Sequence, residues 1–248
     1  MAGTPATVAP GTAIDGAAAP VRVTLFDLDH TLLPIDSDHA WGVFTTTIGW
    51  TDPAAFARRN DEFFAQYRAG TLDIHDYVRF ATEAVRLHGA QAAAAAHERF
   101  MQQVVQPAIR PQALDLVRRH QAQGDRVAII TATNAFVTRP IATALGVADL
   151  IAVELVYDDA PGGTGWITGE IAGIPSAREG KVQRFGQWLE QQGLRRDQVH
   201  LTFYSDSTND LPLLEHADAA VATNPDARLR AIAIARGWRI LDLFSTTP

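Results

Sequence analysis

A chain of 248 residues without a single cysteine excludes a disulfide framework and thiolate chemistry. Its formal net charge of −7, with no cluster of Lys and Arg, argues against a groove that tracks nucleic-acid phosphates. No apolar run approaches the roughly 20 residues of a membrane span, so a soluble cytoplasmic protein is expected.

Residues 1 to 20 are rich in Ala, Gly, Pro and Thr and carry no Lys or Arg. They lack the charged start and apolar heart of a signal peptide and read as a disordered tail. Val21 to Leu28 is β-branched at its start and reads as a buried strand. From Asp36 to Gln106, between Pro34 and Pro107, aromatics recur at helical spacings (Phe56, Phe63, Phe64, Tyr67, Tyr77, Phe80), which predicts a helical insertion. After Pro111 the rhythm becomes α/β. Ala113, Leu116, Val117 and His120 mark one helical face, and Gly124-Asp125 ends that helix. Val127 to Ile130 reads as a short buried strand, and a helix is expected from about Val137 to Leu145. Two strand-like runs between Leu150 and Ile171 flank Asp158-Asp-Ala-Pro-Gly-Gly163, a hairpin signal. Val182, Phe185, Trp188 and Leu189 form a helix face closed by Gly193. Val199 to Tyr204 is a further strand, and Ala219 to Ala222 a last short one.

This alternation predicts a doubly wound, mostly parallel sheet with helices on both faces, a Rossmann-like α/β core. The expected division is a tail at 1–20, a core at 21–34 and 108–248, and a helical insertion at 35–107.

In such sheets ligands bind at the carboxyl ends of the strands. The first strand ends in Asp27-Leu-Asp29, the strand at 127–130 in Thr131, and the strand at 199–204 in Ser205-Asp206-Ser-Thr-Asn209-Asp210. Lys181 opens the helix before that last strand. Asp27 and Asp206 are hard oxygen ligands suited to Mg²⁺, and an acidic rim needs a cation before it can receive a phosphate dianion. Lys181 and Thr131 suit non-bridging phosphate oxygens. Asp27 then qualifies as a nucleophile and Asp29 as the acid that protonates the leaving alcohol. Singly, each has a bland reading: Thr131 a turn residue, Lys181 a solvated lysine, Asp206 to Asp210 a helix N-cap. Gly180-Lys181-Val182 is not a phosphate-binding P-loop, since no Ser or Thr follows the lysine. Their joint occurrence in this order favours the chemistry.

Asp27-Leu-Asp-His-Thr-Leu32, Thr131, Lys181 and Asp206-Ser-Thr-Asn-Asp210 resemble the four motifs of the haloacid dehalogenase superfamily of phosphohydrolases, over about residues 21–222. The insertion after the first motif resembles the helical cap of the phosphoserine phosphatase-like branch. The resemblance implies that Asp27 is the nucleophile and Asp29 the general acid/base, whose main-chain carbonyl also ligates Mg²⁺. It makes Asp206 the third protein ligand, places Asn209 at the phosphate, and has Asn209 and Asp210 support the metal waters and Lys181. Two departures bear on substrate. Thr131-Ala-Thr-Asn134 replaces a Ser followed by two glycines, and the cap glutamate of phosphoserine phosphatases falls here on Asp36, one methylene shorter. Asp36 or Asp38 could meet a substrate amino group. Asp36-Ser-Asp-His-Ala-Trp41 and Thr131-Ala-Thr-Asn134 are similar to histidinol-phosphatase-like members of the branch. His39 and Trp41 are candidates for contact with the leaving group, although an aromatic at a helix start is more often core.

The expected partner is thus a small-molecule phosphate ester, with Mg²⁺ as cofactor. A signalling receiver also combines an acidic cluster with Asp, Thr and Lys on a doubly wound sheet, but has no place for the helical insertion. A phosphate-ester binding module that has lost catalysis is the other alternative, although every catalytic side chain is present.

Overall fold

The computed structural model describes residues 19 to 244, so all but the end of the expected tail lies outside the described residues. One sheet organises the molecule. Six strands, β1 (Val21–Phe26), β2 (Arg126–Asn134), β3 (Asp149–Val153), β6 (Val199–Ser205), β7 (Ala219–Thr223) and β8 (Arg239–Leu241), lie in the order β3-β2-β1-β6-β7-β8. Every pair in it is parallel.

The period of two along a strand explains why both faces are buried. In β1, Val23 and Leu25 face one apolar cluster and Phe26 the other. Ala128 and Ile130 oppose Ile129 in β2, and Leu201 and Phe203 oppose Tyr204 in β6, in the same way. Helices cover both clusters. Phe185, Trp188 and Leu189 of α8 (Glu179–Gln191) pack on one side, and Ala113, Leu116 and Val117 of α6 (Pro111–Ala122) on the other.

Between β1 and β2 the chain is helical. It runs through α1 (Ser37–Thr47), α2 (Pro53–Ala69), α3 (Ile74–Ala81) and α4 (Glu83–Phe100), then a π-turn at Met101–Val105 and a last short turn, α5 (Gln106–Ala108). The helix starts are written in the sequence. Asp36, Asp52 and Asp73 each accept backbone N–H groups at the head of α1, α2 and α3, satisfying donors that a helix leaves free. Among the described residues no helix is long and apolar enough to cross a membrane.

The structure corrects three expectations. First, β2 does not stop at Ile130. Its pairing with β3 shifts register between Ile130 and Asn134, the β-branched Thr131 and Thr133 keep it extended, and Asn134 caps α7 (Ala135–Ala144). Second, the region 150–171 holds three strands. β3 joins the main sheet, while β4 (Leu155–Tyr157) and β5 (Ile167–Ile171) form the antiparallel hairpin. Third, β8 extends the edge after α10 (Ala227–Arg236), too short and exposed for its pattern to stand out. The hairpin packs on the helical segment: Trp166 Nε1 donates to the Val85 carbonyl at 3.1 Å, and Arg79 bridges to Glu170.

Candidate active site

The sheet order puts β1 between β2 and β6, so Asp27 and Asp206, just beyond the ends of β1 and β6, lie beside Thr131 within β2. The Asp27 N–H donates to the Tyr204 carbonyl at 2.9 Å, fixing it one residue beyond β1. Lys181 is buried, and its ammonium donates to Asp27 Oδ1 and to Asp210 Oδ2, both at 2.7 Å. The lysine is therefore not a solvated surface group. Gly180 lets it come so close: a Cβ there would stand 2.1 Å from the Pro175 carbonyl oxygen. Ser205 Oγ also donates to Asp210 Oδ2, at 2.7 Å.

Thr31, one turn after the nucleophile candidate, ties the first cluster to the last. Its hydroxyl lies 3.3 Å from Asp27 Oδ2 and 3.3 Å from Asp206 Oδ1, and accepts the Asp206 N–H at 3.0 Å. With one proton, that hydroxyl can satisfy only one carboxylate at a time. Asp29 is held by two donors, the Ser37 N–H on Oδ1 at 2.8 Å and the Thr133 hydroxyl on Oδ2 at 2.9 Å.

The electrostatics follow from burial and from excess acid. Burial, then Asp210, push the Asp27 carboxyl up to about 6 against the pull of Lys181. Burial pushes Asp206 to about 8, with Asp27 and Asp210 adding to it. Burial and Asp36 together hold Asp29 well above the carboxylate range. Burial alone would lower the Lys181 ammonium, but Asp210 and Asp27 outweigh it and leave its pKa raised.

Asp27 and Asp210 thus share one ammonium with Asp206 close by, a charge imbalance that a hard divalent cation corrects. Among the described residues no three His, Asp or Glu side chains form a ready-made metal cage. Mg²⁺ is usually held by one or two carboxylates, water and substrate phosphate rather than by an all-protein cage. The donor set fits the ion.

The other candidates are placed as follows. Thr131 is buried beside the site; its hydroxyl accepts the Thr133 N–H and its carbonyl accepts the Ser176 hydroxyl at 2.6 Å. Asn209 lies in the middle of the turn Thr208–Asp210 after β6, its N–H donating to Ser207 Oγ, and Tyr67 of α2 reaches Ser207 and Asn209 from the helical segment. Asp36 is exposed and spends Oδ1 on capping α1. Trp41 is core, stacked with His97 and edge-on to Phe100.

Sequence reasoning missed Thr133, Ser176 and Asn224. Asn224 follows β7, and its amide donates to the His30 carbonyl at 2.8 Å while its oxygen accepts the Phe244 N–H. Both His30 (φ 56) and Asn224 (φ 47) sit in the left-handed region, so local strain is held in place by contact across the rim. Left-handed Asn is a recognisable signal, but its target 194 positions away is not.

Asp38, two residues beyond Asp36, is the buried carboxylate of the helical segment. Burial, then Asp36, push it from 3.8 up to about 7, and a hydrogen bond with Tyr77 only partly opposes this. Between those values the native state holds a proton that the unfolded chain has lost, so this group's contribution to stability falls as pH rises. Asp38→Asn should match the wild type near pH 4 and exceed it by about 2–4 kcal/mol at pH 8, read by urea unfolding at both pH values. A difference independent of pH would contradict the buried, proton-holding assignment.

Residues 24–215 match the haloacid dehalogenase-like hydrolase family. A histidinol-phosphatase from Neisseria meningitidis serogroup C (strain 8013) is 37% identical over 222 residues, 89% of this chain and 98% of that protein. A Bordetella pertussis Tohama I protein, described as of unknown function, has a crystal structure that superposes with a TM-score of 0.85 at 47% identity, over 91% of this chain and 100% of that one. A substrate-bound phosphoserine phosphatase shares the fold, with a TM-score of 0.62 at 14% identity over 91% of this chain and 94% of that one. The chain belongs to the haloacid dehalogenase-like hydrolases.

Proposed function

We propose that this phosphatase cleaves a small phosphate monoester in the presence of Mg²⁺, carrying the phosphoryl group transiently on Asp27. The observation that carries the reading is the buried Lys181, shared at 2.7 Å by Asp27 and Asp210 while Thr31 links Asp27 to Asp206. Asp27 and Asp206, with the main-chain oxygen of Asp29, would hold the metal, which supplies positive charge that offsets the carboxylates and admits the phosphate.

A carboxylate oxygen of Asp27 attacks phosphorus, and the bond from phosphorus to the alcohol oxygen breaks. Asp29 gives its proton to that oxygen; its burial, which favours the neutral acid, suits the task. Lys181, Thr131 and Asn209 hold the non-bridging oxygens as charge spreads over them. Asp29, now ionised, takes a proton from water, which attacks the aspartyl phosphate. Inorganic phosphate leaves and Asp27 is regenerated.

Among leaving groups, the relative named histidinol-phosphatase, 37% identical over 98% of its own length, favours histidinol phosphate over phosphoserine. Purified protein should release phosphate from p-nitrophenyl phosphate and histidinol phosphate with Mg²⁺, and lose at least about 10²-fold of that rate in EDTA. Recovery on adding Mg²⁺ back completes the test. Full activity in EDTA would remove the metal from the scheme.

A further inference from the structure

Asn224 follows β7 with its backbone at φ 47, although a residue before proline, here Pro225, is pushed toward extended conformations. Across the rim, His30 follows Asp29 at φ 56. Left-handed backbone is uncommon for residues with a Cβ, and it persists where the surroundings over-determine it.

At His30 those surroundings can be followed atom by atom. The Leu28 carbonyl accepts the N–H groups of Thr31, Leu32 and Leu33 at 3.3, 2.9 and 3.0 Å, closing a tight turn directly after Asp27. The carbonyls of His30 and Thr31 take their donor from outside that turn, both from the Asn224 amide, at 2.8 and 3.5 Å. The other end of the same side chain, Oδ1, accepts the Phe244 N–H at 3.1 Å, and the Asn224 N–H donates to the Leu241 carbonyl at 2.8 Å. One asparagine thus joins the turn after Asp27 to β8 and the chain beyond it, where Leu243 is buried in the core. The position needs donors on one side and an acceptor on the other, which an amide offers and a carboxylate does not.

Thr31 is the residue this arrangement aims. Its hydroxyl accepts the Asp206 N–H at 3.0 Å and lies 3.3 Å from a carboxylate oxygen of Asp27 and of Asp206. One proton shared between two such distances is a weak tether, so the backbone must supply the aim. The two carbonyls that Asn224 holds belong to the two peptide groups flanking the Thr31 Cα. Each peptide group is planar, so fixing both fixes the Cα–Cβ bond between them. We propose that Asn224 is a positioning residue for the phosphatase site: it holds both peptide planes around Thr31, with residues 241–244 as its anchor, and so keeps that hydroxyl between Asp27 and Asp206.

The kinetic part of the test rests on the phosphatase reading, and a second part reads the clamp without turnover. Asn224→Asp keeps the shape, the tolerance of left-handed backbone and the acceptor for Phe244, but sets a carboxylate oxygen against two carbonyls. With p-nitrophenyl phosphate and Mg²⁺ it should lose about 10-fold in kcat, with KM within about 2-fold of wild type. In a Thr31→Val background the same substitution should cost nothing further, because the hydroxyl it aims is gone. In a His30→Gly background it should cost less than about 3-fold, since glycine holds a positive φ unaided. Amide exchange at Thr31, Leu32 and Leu33, followed by NMR, should run about 10-fold faster in Asn224→Asp than in wild type. Asn224→Gly removes the amide while keeping the left-handed backbone; it should show the same pattern, and serves if Asn224→Asp does not fold. Wild-type kcat in both variants would overturn the proposal. So would unchanged exchange in both, or an equal kcat loss with and without the Thr31 hydroxyl. If the wild type turned over no ester, the phosphatase reading would fail, and the exchange rates alone would decide whether Asn224 holds the turn.

Discussion

Asp27→Asn should lose at least about 10⁴-fold in phosphate release while keeping its fold, because it removes the attacking atom and little else. Asn has the same shape, and Lys181 retains Asp210 at 2.7 Å as its partner. Removing one carboxylate also relieves the repulsion that raises Asp206. The melting temperature should therefore hold or rise, and circular dichroism should be unchanged. Acid-quenched wild type should carry a phosphoryl adduct on the peptide containing Asp27, and the variant should carry none. Wild-type rates in a purified Asp27→Asn protein with Mg²⁺ would falsify the nucleophile assignment.

Lys181→Met is the second large effect, and here stability and activity should fall together. The ammonium is 2% exposed and sits between two carboxylates. Breaking a buried pair by removing one partner typically costs about 3–5 kcal/mol, since the remaining charge is stranded in a poor solvent for ions. Here two acids are stranded. Burial already holds the Asp27 carboxyl above its unfolded value, so without the lysine the native state keeps a proton there and the deficit grows as pH rises. Urea midpoints at pH 5 and pH 8 should show the smaller loss at pH 5. Phosphate release should drop by at least about 10³-fold. Lys181→Met/Asp210→Asn should recover part of the stability and none of the activity, which separates the lysine's structural role from its part in the chemistry. A Lys181→Met protein as stable as wild type at pH 8 would contradict the buried-pair reading.

The doubly wound sheet could be read because its strands are buried on both faces and end in polar residues at one rim. Asp27 and Asp206 stood out for that reason, since each follows an apolar strand where a parallel sheet opens to ligands, and Lys181 stood out only in company with them. Thr133 and Ser176 were silent because nothing local marks them, and Asn224 because its local signal does not name its target. Thr133 reaches Asp29 across 104 positions and Asn224 reaches His30 across 194, contacts that exist only once the sheet has formed. The end of β2 was misjudged for a related reason. Thr131 resembles a turn residue in isolation, but pairing of β2 with β3 carries the strand on to Asn134. In the helical segment, Trp41 was a candidate for the leaving group by its place near the first motif, with the core as its more common fate, and packing with His97 and Phe100 settles it as core.

The β4–β5 hairpin belongs to the chain after β3, yet Trp166 is anchored on α4 and Glu170 on α3. Any swing of the helices that lets product out must carry the hairpin along or break those two anchors. A swing that releases product would therefore draw on the segment at 155–171, which carries none of the reacting residues. The speed limit for turnover is then open to tuning by hairpin substitutions that leave the chemistry untouched.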